Sequence, residues 1–170
     1  MRAYTFTFTP HPLLSAPTMN ISMIQGGVKT NVVPDKCQLT ADLHTLPGMN
    51  SQELIHDIQR LIQKAAAAHP DLKASISILS DRPPVETAAD DSFVTLCQAA
   101  ARDVWGRTIQ PDGFSGYTDA AAFLTAGLPI VISGPGELKM AHQPNEYACI
   151  DKINAAVPFY AAIAEKYLIE

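Results

Sequence analysis

Hydrophobic and polar positions alternate twice near the start of the chain, and alternation of this kind marks a strand with one face covered. Residues 18–25 (TMNISMIQ) run into Gly26-Gly27, and residues 37–44 (CQLTADLH) set Cys37, Leu39, Ala41 and Leu43 against Gln38, Thr40, Asp42 and His44. Both predict strands. A shorter alternation at residues 5–8 (TFTF) points to another, before Pro10, Pro12 and Pro17 force an irregular connection. After Pro47-Gly48 the period changes: Leu54, Ile55, Ile58, Leu61, Ile62 and Ala65 recur at helical spacing, and Asn50 followed by Glu53 makes a capping-box-like start. Residues 73–80 (KASISILS) alternate again up to Arg82-Pro83-Pro84. Residues 1–83 therefore predict strand, strand, helix, strand, an α+β layer with its helix on one face.

Beyond Pro84 a helix is predicted over residues 90–105, with Phe93, Cys97, Ala100 and Val104 on one stripe. A second helix over residues 118–126 stops at Gly127. Residues 128–133 (LPIVIS) are almost continuously apolar, the pattern of a strand covered on both faces, and end at Gly134-Pro135-Gly136. A final helix begins near Asp151, with Ile153, Val157, Tyr160, Ala164 and Tyr167 or Leu168 on its stripe, and Pro158 removes one of its internal hydrogen bonds. This half predicts the edge of an α/β sheet.

Composition narrows the function classes. The 170 residues are 47% hydrophobic and 17% charged, enough to bury a core, and 12 basic against 17 acidic side chains give a net charge of −5. An acidic chain without a basic cluster argues against nucleic acid and anionic membranes as partners. Cys37, Cys97 and Cys149 are odd in number and far apart, which favours neither a disulfide framework nor a metal knuckle. With no secretory signal and no 18-residue apolar run, the expectation is a cytoplasmic protein in a reducing compartment.

The polar loop after the apolar run, residues 134–146, lies where α/β folds build their sites, and it makes His142 a candidate ligand or acid/base group. One histidine is not a metal site, and His11, His56 and His69 form no ligand pair with one another. Ser115-Gly116-Tyr117-Thr118-Asp119 precedes a predicted helix, so its backbone N–H groups suit an anion as well as an ordinary cap. Gly134 and Gly136 suit close approach of a ligand or a tight turn. Asn31 is a turn residue by type, and His44 on the polar strand face suits an anionic group or water. No nucleophile elbow and no phosphate loop is present.

In order along the chain, the run from Thr18 through Leu46-Pro47-Gly48, the run GYTDAAAFLTAGLPIVISGPG and the run AHQPNEY resemble the second half of the zinc aminoacylase and carboxypeptidase family. That family includes acetylornithine deacetylase, succinyl-diaminopimelate desuccinylase and glutamate carboxypeptidase. The resemblance covers the chain from about Pro12 onward. It implies a fold of α/β and α+β parts. Residues 1–83 would be part of a ferredoxin-like lid that also makes a homodimer contact. Residues 84–170 would be the C-terminal piece of an α/β zinc-peptidase sheet with flanking helices.

By the same resemblance His142 matches the last metal ligand, and Asn31 matches a lid asparagine that approaches substrate, in some members across the dimer. Gly116, Thr118 and Gly134 match positions lining a substrate carboxylate pocket, while His44 stands where the family places an arginine. A neutral imidazole does not reproduce a bidentate guanidinium. The family's upstream His-x-Asp, bridging aspartate and Glu-Glu pair have no counterpart in the 170 residues. The implied function is part of a metal-dependent amide hydrolase acting on N-acyl amino acids or small peptides. Its cofactor would be zinc, with cobalt or manganese as other metals such ligands accept, and it would not bind tightly to this chain alone. The isolated chain is expected to be silent. The other expectations are a non-catalytic dimerisation remnant of the family and, less favoured, a metal-free small-molecule binding domain.

Overall fold

The structure, a computed structural model, describes residues 4–169. In chain order it contains strands β1 (Thr18–Gly26) and β2 (Cys37–His44), then helices α1 (Ser51–Ala68), α2 (Ser92–Trp105), α3 (Ala120–Phe123) and α4 (Ile150–Ile169). Short 3-10 turns occupy Leu124–Ala126 and Leu138–Met140. The chain divides into two compact units. The first runs to Pro84 and includes Ser115–Ala121, and the second comprises Val85–Phe114 and the chain from Ala122.

In the first unit β1 and β2 form an antiparallel hairpin, pairing from Thr18 with His44 to Gly26 with Cys37. The apolar pattern of β1 breaks phase, since Met19 and Ile21 are odd-numbered and Ile24 is even. A bulge between Ile21 and Met23 absorbs the extra residue, so Met19, Ile21 and Ile24 stand opposite Leu43, Ala41 and Leu39. One residue of bulge thus keeps one face apolar. At the loop end Gly26 is required by space: a Cβ there would lie 2.7 Å from the Lys36 carbonyl oxygen. Gly26→Ala should therefore lose the Gly26–Cys37 pairing and destabilise the hairpin by on the order of 1 kcal/mol, read by cross-strand nuclear Overhauser contacts and urea unfolding.

Asn50 caps α1, its side chain accepting the Gln52 N–H at 2.9 Å. Leu54 is buried, Ile55, Ile58 and Ile62 are partly buried, and Leu61 stays exposed, so most of the predicted stripe faces inward. Asp57 on this helix accepts the Tyr4 hydroxyl at 3.1 Å and pairs with Arg60.

In the second unit Asp91 caps α2 by accepting the Phe93 N–H at 2.7 Å. The core is Ala100 and Ala101 of α2 against Phe159 of α4, with Val104, Trp105, Ala162 and Ile163 around it. Two alanines leave room for the Phe159 ring. Trp105 stacks on that ring at 4.5 Å between centroids and donates its indole N–H to the Ala155 carbonyl at 3.0 Å. Lys166 of α4 pairs with Asp103 of α2 at 2.9 Å.

Several expectations are corrected. Residues 5–8, 73–80 and 128–133 form no strand, and the predicted strand, strand, helix, strand layer reduces to one hairpin and a helix. Apolar alternation favours extended chain, but a strand exists only where a second backbone pairs with it, and none does so at these segments. At residues 128–133 the pairing is done by a side chain: Thr87 Oγ1 accepts the Ile130 N–H at 2.8 Å and donates to the Ile130 carbonyl at 2.7 Å. Nor is that run covered on both faces, since Leu128, Val131 and Ile132 are exposed. The helix predicted over residues 118–126 is the short α3 followed by a 3-10 turn. On α4 the predicted stripe is exposed, Val157 at 61%, while Ala156 and Phe159 are buried. The helix is apolar almost all round, so period alone does not select its inner face. Pro158 lies inside α4 without ending it.

Candidate functional site

The six candidate residues fall into three places. Asn31 sits in the exposed turn closed by the Val32 N–H to the Lys29 carbonyl (3.2 Å), in the loop beyond the Gly26–Cys37 end of the hairpin. His44 lies at the opposite end of this eight-residue strand, about 23 Å from Cys37 along it. The hairpin therefore holds Asn31 and His44 apart within the first unit.

Gly116 adjoins Ser115, the residue that meets His44, and Thr118 lies two residues further along in the same unit. The Nδ1 of His44 lies 2.9 Å from the Ser115 carbonyl oxygen, and its Nε2 lies 3.1 Å from Asp42 Oδ2. Thr118 Oγ1 accepts the Ala120 N–H at 3.2 Å, capping the first turn of α3. Arg82 places its guanidinium 4.6 Å from the centre of the Tyr117 ring. The segment from Ser115 to Ala121 is thus held in the first unit by side chains on either side of Gly116.

Gly134 and His142 belong to the second unit. Neither Gly134 nor Gly136 has a positive φ, and a Cβ at either would meet nothing within 4 Å. The chain's own packing does not demand glycine there. Glu137 follows and accepts from Lys152 at 2.7 Å and Lys139 at 2.9 Å. Those two cations, Lys152 first, hold its carboxyl down at about 2. A carboxylate depressed in the folded chain stabilises above the ordinary value of 4.5 and loses that contribution as pH falls toward about 2. The loop carrying His142 should therefore keep its order down to about pH 4.5 and loosen below it, and Glu137→Gln should remove this acid step, as followed by amide signals of residues 137–142.

His142 itself lies in two linked turns. The Gln143 N–H bonds the Met140 carbonyl at 3.3 Å, with Ala141 at φ −61, ψ 133 and His142 at φ 61. The Glu146 N–H then bonds the Gln143 carbonyl at 3.1 Å, across Pro144 and an Asn145 with φ 61. Both have the type II signature, with φ negative and then positive at the two central residues. Asparagine tolerates the left-handed position and histidine pays for it, at about 1–2 kcal/mol. The Glu146 carboxylate steadies the turn by accepting the His142 N–H at 3.0 Å. The result is an exposed imidazole on a strained, doubly pinned backbone, and strain of this kind gathers where a side chain has a task.

The double turn and the Glu137 ion cluster were not anticipated from sequence. Pro144-Asn145 is the signal that was available, because proline presets the first central position of a type II turn and asparagine suits the second. Cys149, read from sequence only as one of three scattered cysteines, lies just before α4, where N–H groups of Lys152 and Asp151 lower its thiol from the usual value. Among the described residues no three of histidine, cysteine, aspartate and glutamate gather as a metal ion needs. The donors near His142 do not by themselves fit zinc, since the Glu146 carboxylate is engaged with the backbone of His142. No described helix is long and apolar enough to cross a membrane.

A sequence profile of Peptidase family M20/M25/M40 matches residues 13–166. The acetylornithine deacetylase of Vibrio parahaemolyticus is 26% identical over 163 residues, covering 92% of this chain and 40% of that protein. The one from Myxococcus xanthus is 26% identical over 136 residues, covering 80% and 34%. An M20 family metallo-carboxypeptidase, Sso-CP2 from Sulfolobus solfataricus, shares the fold with a TM-score of 0.72 at 20% identity, over 99% of this chain and 41% of that one. Aminopeptidase PepT from Bacillus cereus matches with a TM-score of 0.66 at 24% identity, over 89% and 40%. The chain spans about two fifths of the length of these relatives. With the match running through almost all of the described residues, the chain belongs to peptidase family M20/M25/M40.

Proposed function

We propose that these 170 residues are part of a metal-dependent amide hydrolase, a deacylase or metallopeptidase acting on N-acyl amino acids or small peptides. The observation that carries this is His142, an exposed imidazole held at φ 61 in a double turn inside a chain of peptidase family M20/M25/M40. In this reading His142 is one ligand of a metal centre, zinc or alternatively cobalt or manganese. The other ligands and the base come from sequence these residues do not contain. A bound metal would polarise the amide carbonyl and acidify a water. The chain's own part is to hold one imidazole and to border substrate with Gly116, Thr118 and Gly134. His44 and, from a paired copy, Asn31 complete the substrate-side set.

In the same reading the first unit is part of a lid and dimer contact, and the second is the end of the catalytic domain. The exposed apolar stripe of α4 supports this, because a helix apolar all round belongs between two layers and the described chain covers one side. The second reading, a non-catalytic dimerisation remnant, draws on the hairpin: its outer edges are unpaired, and Ile24 is 72% exposed beside Leu39. Free cysteines suit a reducing, cytoplasmic setting for either. Equilibrium dialysis against zinc tests the ligand assignment. The isolated chain should bind weakly, and the binding should drop further in His142→Ala. Tight binding that survives His142→Ala would contradict it.

A further inference from the structure

Both ring nitrogens of His44 face acceptors. One lies 2.9 Å from the Ser115 carbonyl oxygen, and the other lies 3.1 Å from Asp42 Oδ2. A carbonyl oxygen accepts and never donates, and an ionised carboxylate does the same, so each contact needs an N–H on the ring. A neutral imidazole carries one N–H and an imidazolium carries two. Only the charged ring makes both bonds at once.

We propose that His44 is a positioning residue, a two-donor clasp that in its charged form fixes the Ser115–Ala121 segment to the end of β2 and, on losing a proton, gives up one of its two contacts. What it fixes is specific. Ser115–Ala121 belongs to the first unit, while the chain on both sides of it, up to Phe114 and from Ala122, belongs to the second. Such an excursion has no strand or long helix of its own to hold it, so side-chain ties decide its order.

The surroundings leave the clasp to a few groups. Asp42 is the charged group within ion-pair distance of the ring among the described residues, and Thr18, uncharged, stands opposite His44 on β1. On the segment itself the charged or titratable groups are Tyr117 and Asp119. Tyr117 is engaged with Arg82, a second tie that stays in place across the range in which histidine titrates. Neutral His44 should therefore loosen the Ser115 end of the segment without freeing Tyr117 from Arg82.

An arginine at this position, as in the family resemblance, would keep several N–H groups at every pH. Histidine makes the tie conditional. That Gly116 and Thr118 border a substrate belongs to the proposed function, and the clasp's bearing on substrate rests on that reading. The clasp itself does not, so its test needs neither substrate nor metal.

The test is nuclear magnetic resonance on the full 170-residue chain at about pH 5.5 and about pH 8, reading protons on each His44 ring nitrogen and the backbone order parameters of Gly116–Thr118. Where the spectrum shows protons on both nitrogens Gly116 should be ordered, at about 0.85, and where it shows a proton on one alone Gly116 should fall toward about 0.6. His44→Arg should stay ordered at both, and His44→Phe should be loose at both. His44 is half exposed, so both substitutions leave the core untouched. Gly116 equally ordered at both pH values in the natural chain would overturn the proposal. So would His44→Phe as ordered as the natural chain at low pH, or His44→Arg loosening at high pH. Any of these leaves the hydrolase reading standing, because none involves His142.

Discussion

Phe159→Ala should destabilise the packing of α2 on α4 by about 3–5 kcal/mol, the largest stability loss of any single side chain in the second unit. Phe159 is 5% exposed, lies against Ala100 and Ala101, and is the surface on which Trp105 stacks. Its loss removes a ring and also leaves a cavity that two alanines are too small to fill. The indole N–H of Trp105 bonds the Ala155 carbonyl and would hold the tryptophan in place, so the gap should not close by collapse. Urea unfolding followed by Trp105 fluorescence reads the effect directly, because Trp105 is the one tryptophan in the sequence. Val157→Ala, on the exposed side of the same helix, is the control and should change stability by under about 0.5 kcal/mol.

His142→Gly should separate stability from function. Glycine accepts φ 61 without penalty, so the turn from Met140 to Gln143 should gain about 1 kcal/mol. Under the proposed function the same change removes a ligand, and metal affinity of the assembled enzyme should fall by more than about 100-fold, since outer-shell partners alone account for 10–100-fold. A variant that is more stable and no longer holds metal is the signature of a strained functional residue. Thermal unfolding of the chain and metal content of the assembled enzyme provide the two readouts. Equal metal content in both proteins would remove His142 from the centre.

How much of this was legible in the sequence follows from what each feature depends on. The hairpin and α1 were legible because their signals are local: alternation ending in Gly26-Gly27, a helical stripe, and an asparagine cap. The bulge that keeps Ile24 in phase was implicit in the odd and even spacing of Met19, Ile21 and Ile24. The strands expected at residues 73–80 and 128–133 failed for a different reason. Alternation and apolar runs describe what a segment would do beside a partner, and they do not supply the partner. Thr87 shows how the requirement is met without one, through a single hydroxyl that satisfies both backbone groups of Ile130. On α4 the apolar residues surround the helix, so the inner face was set by Phe159 against Trp105, a contact between distant parts of the chain.

The candidate site divides in the same way. His142 stood out by its place after an apolar run, and the second of its two linked turns was encoded in Pro144-Asn145, whereas the first, which sets His142 at φ 61, carries no such signal. The contacts of His44 were not legible, because Ser115 is 71 residues away and only the fold brings its carbonyl to the ring. Family resemblance picked out the candidate positions, and the structure shows what surrounds His44 and His142 among them.

Under the proposed function this chain contributes to a metal-dependent amide hydrolase and does not perform the reaction alone. The most direct test is hydrolysis of an N-acetyl amino acid by the pure 170-residue chain with zinc. It is then repeated with a polypeptide carrying the family's His-x-Asp, bridging aspartate and Glu-Glu residues. The expected result is no turnover from the chain alone, turnover from the reconstituted pair, and its loss with a chelator or with His142→Ala. Chelator-sensitive turnover by the chain alone, or a reconstituted activity indifferent to His142→Ala, would contradict it.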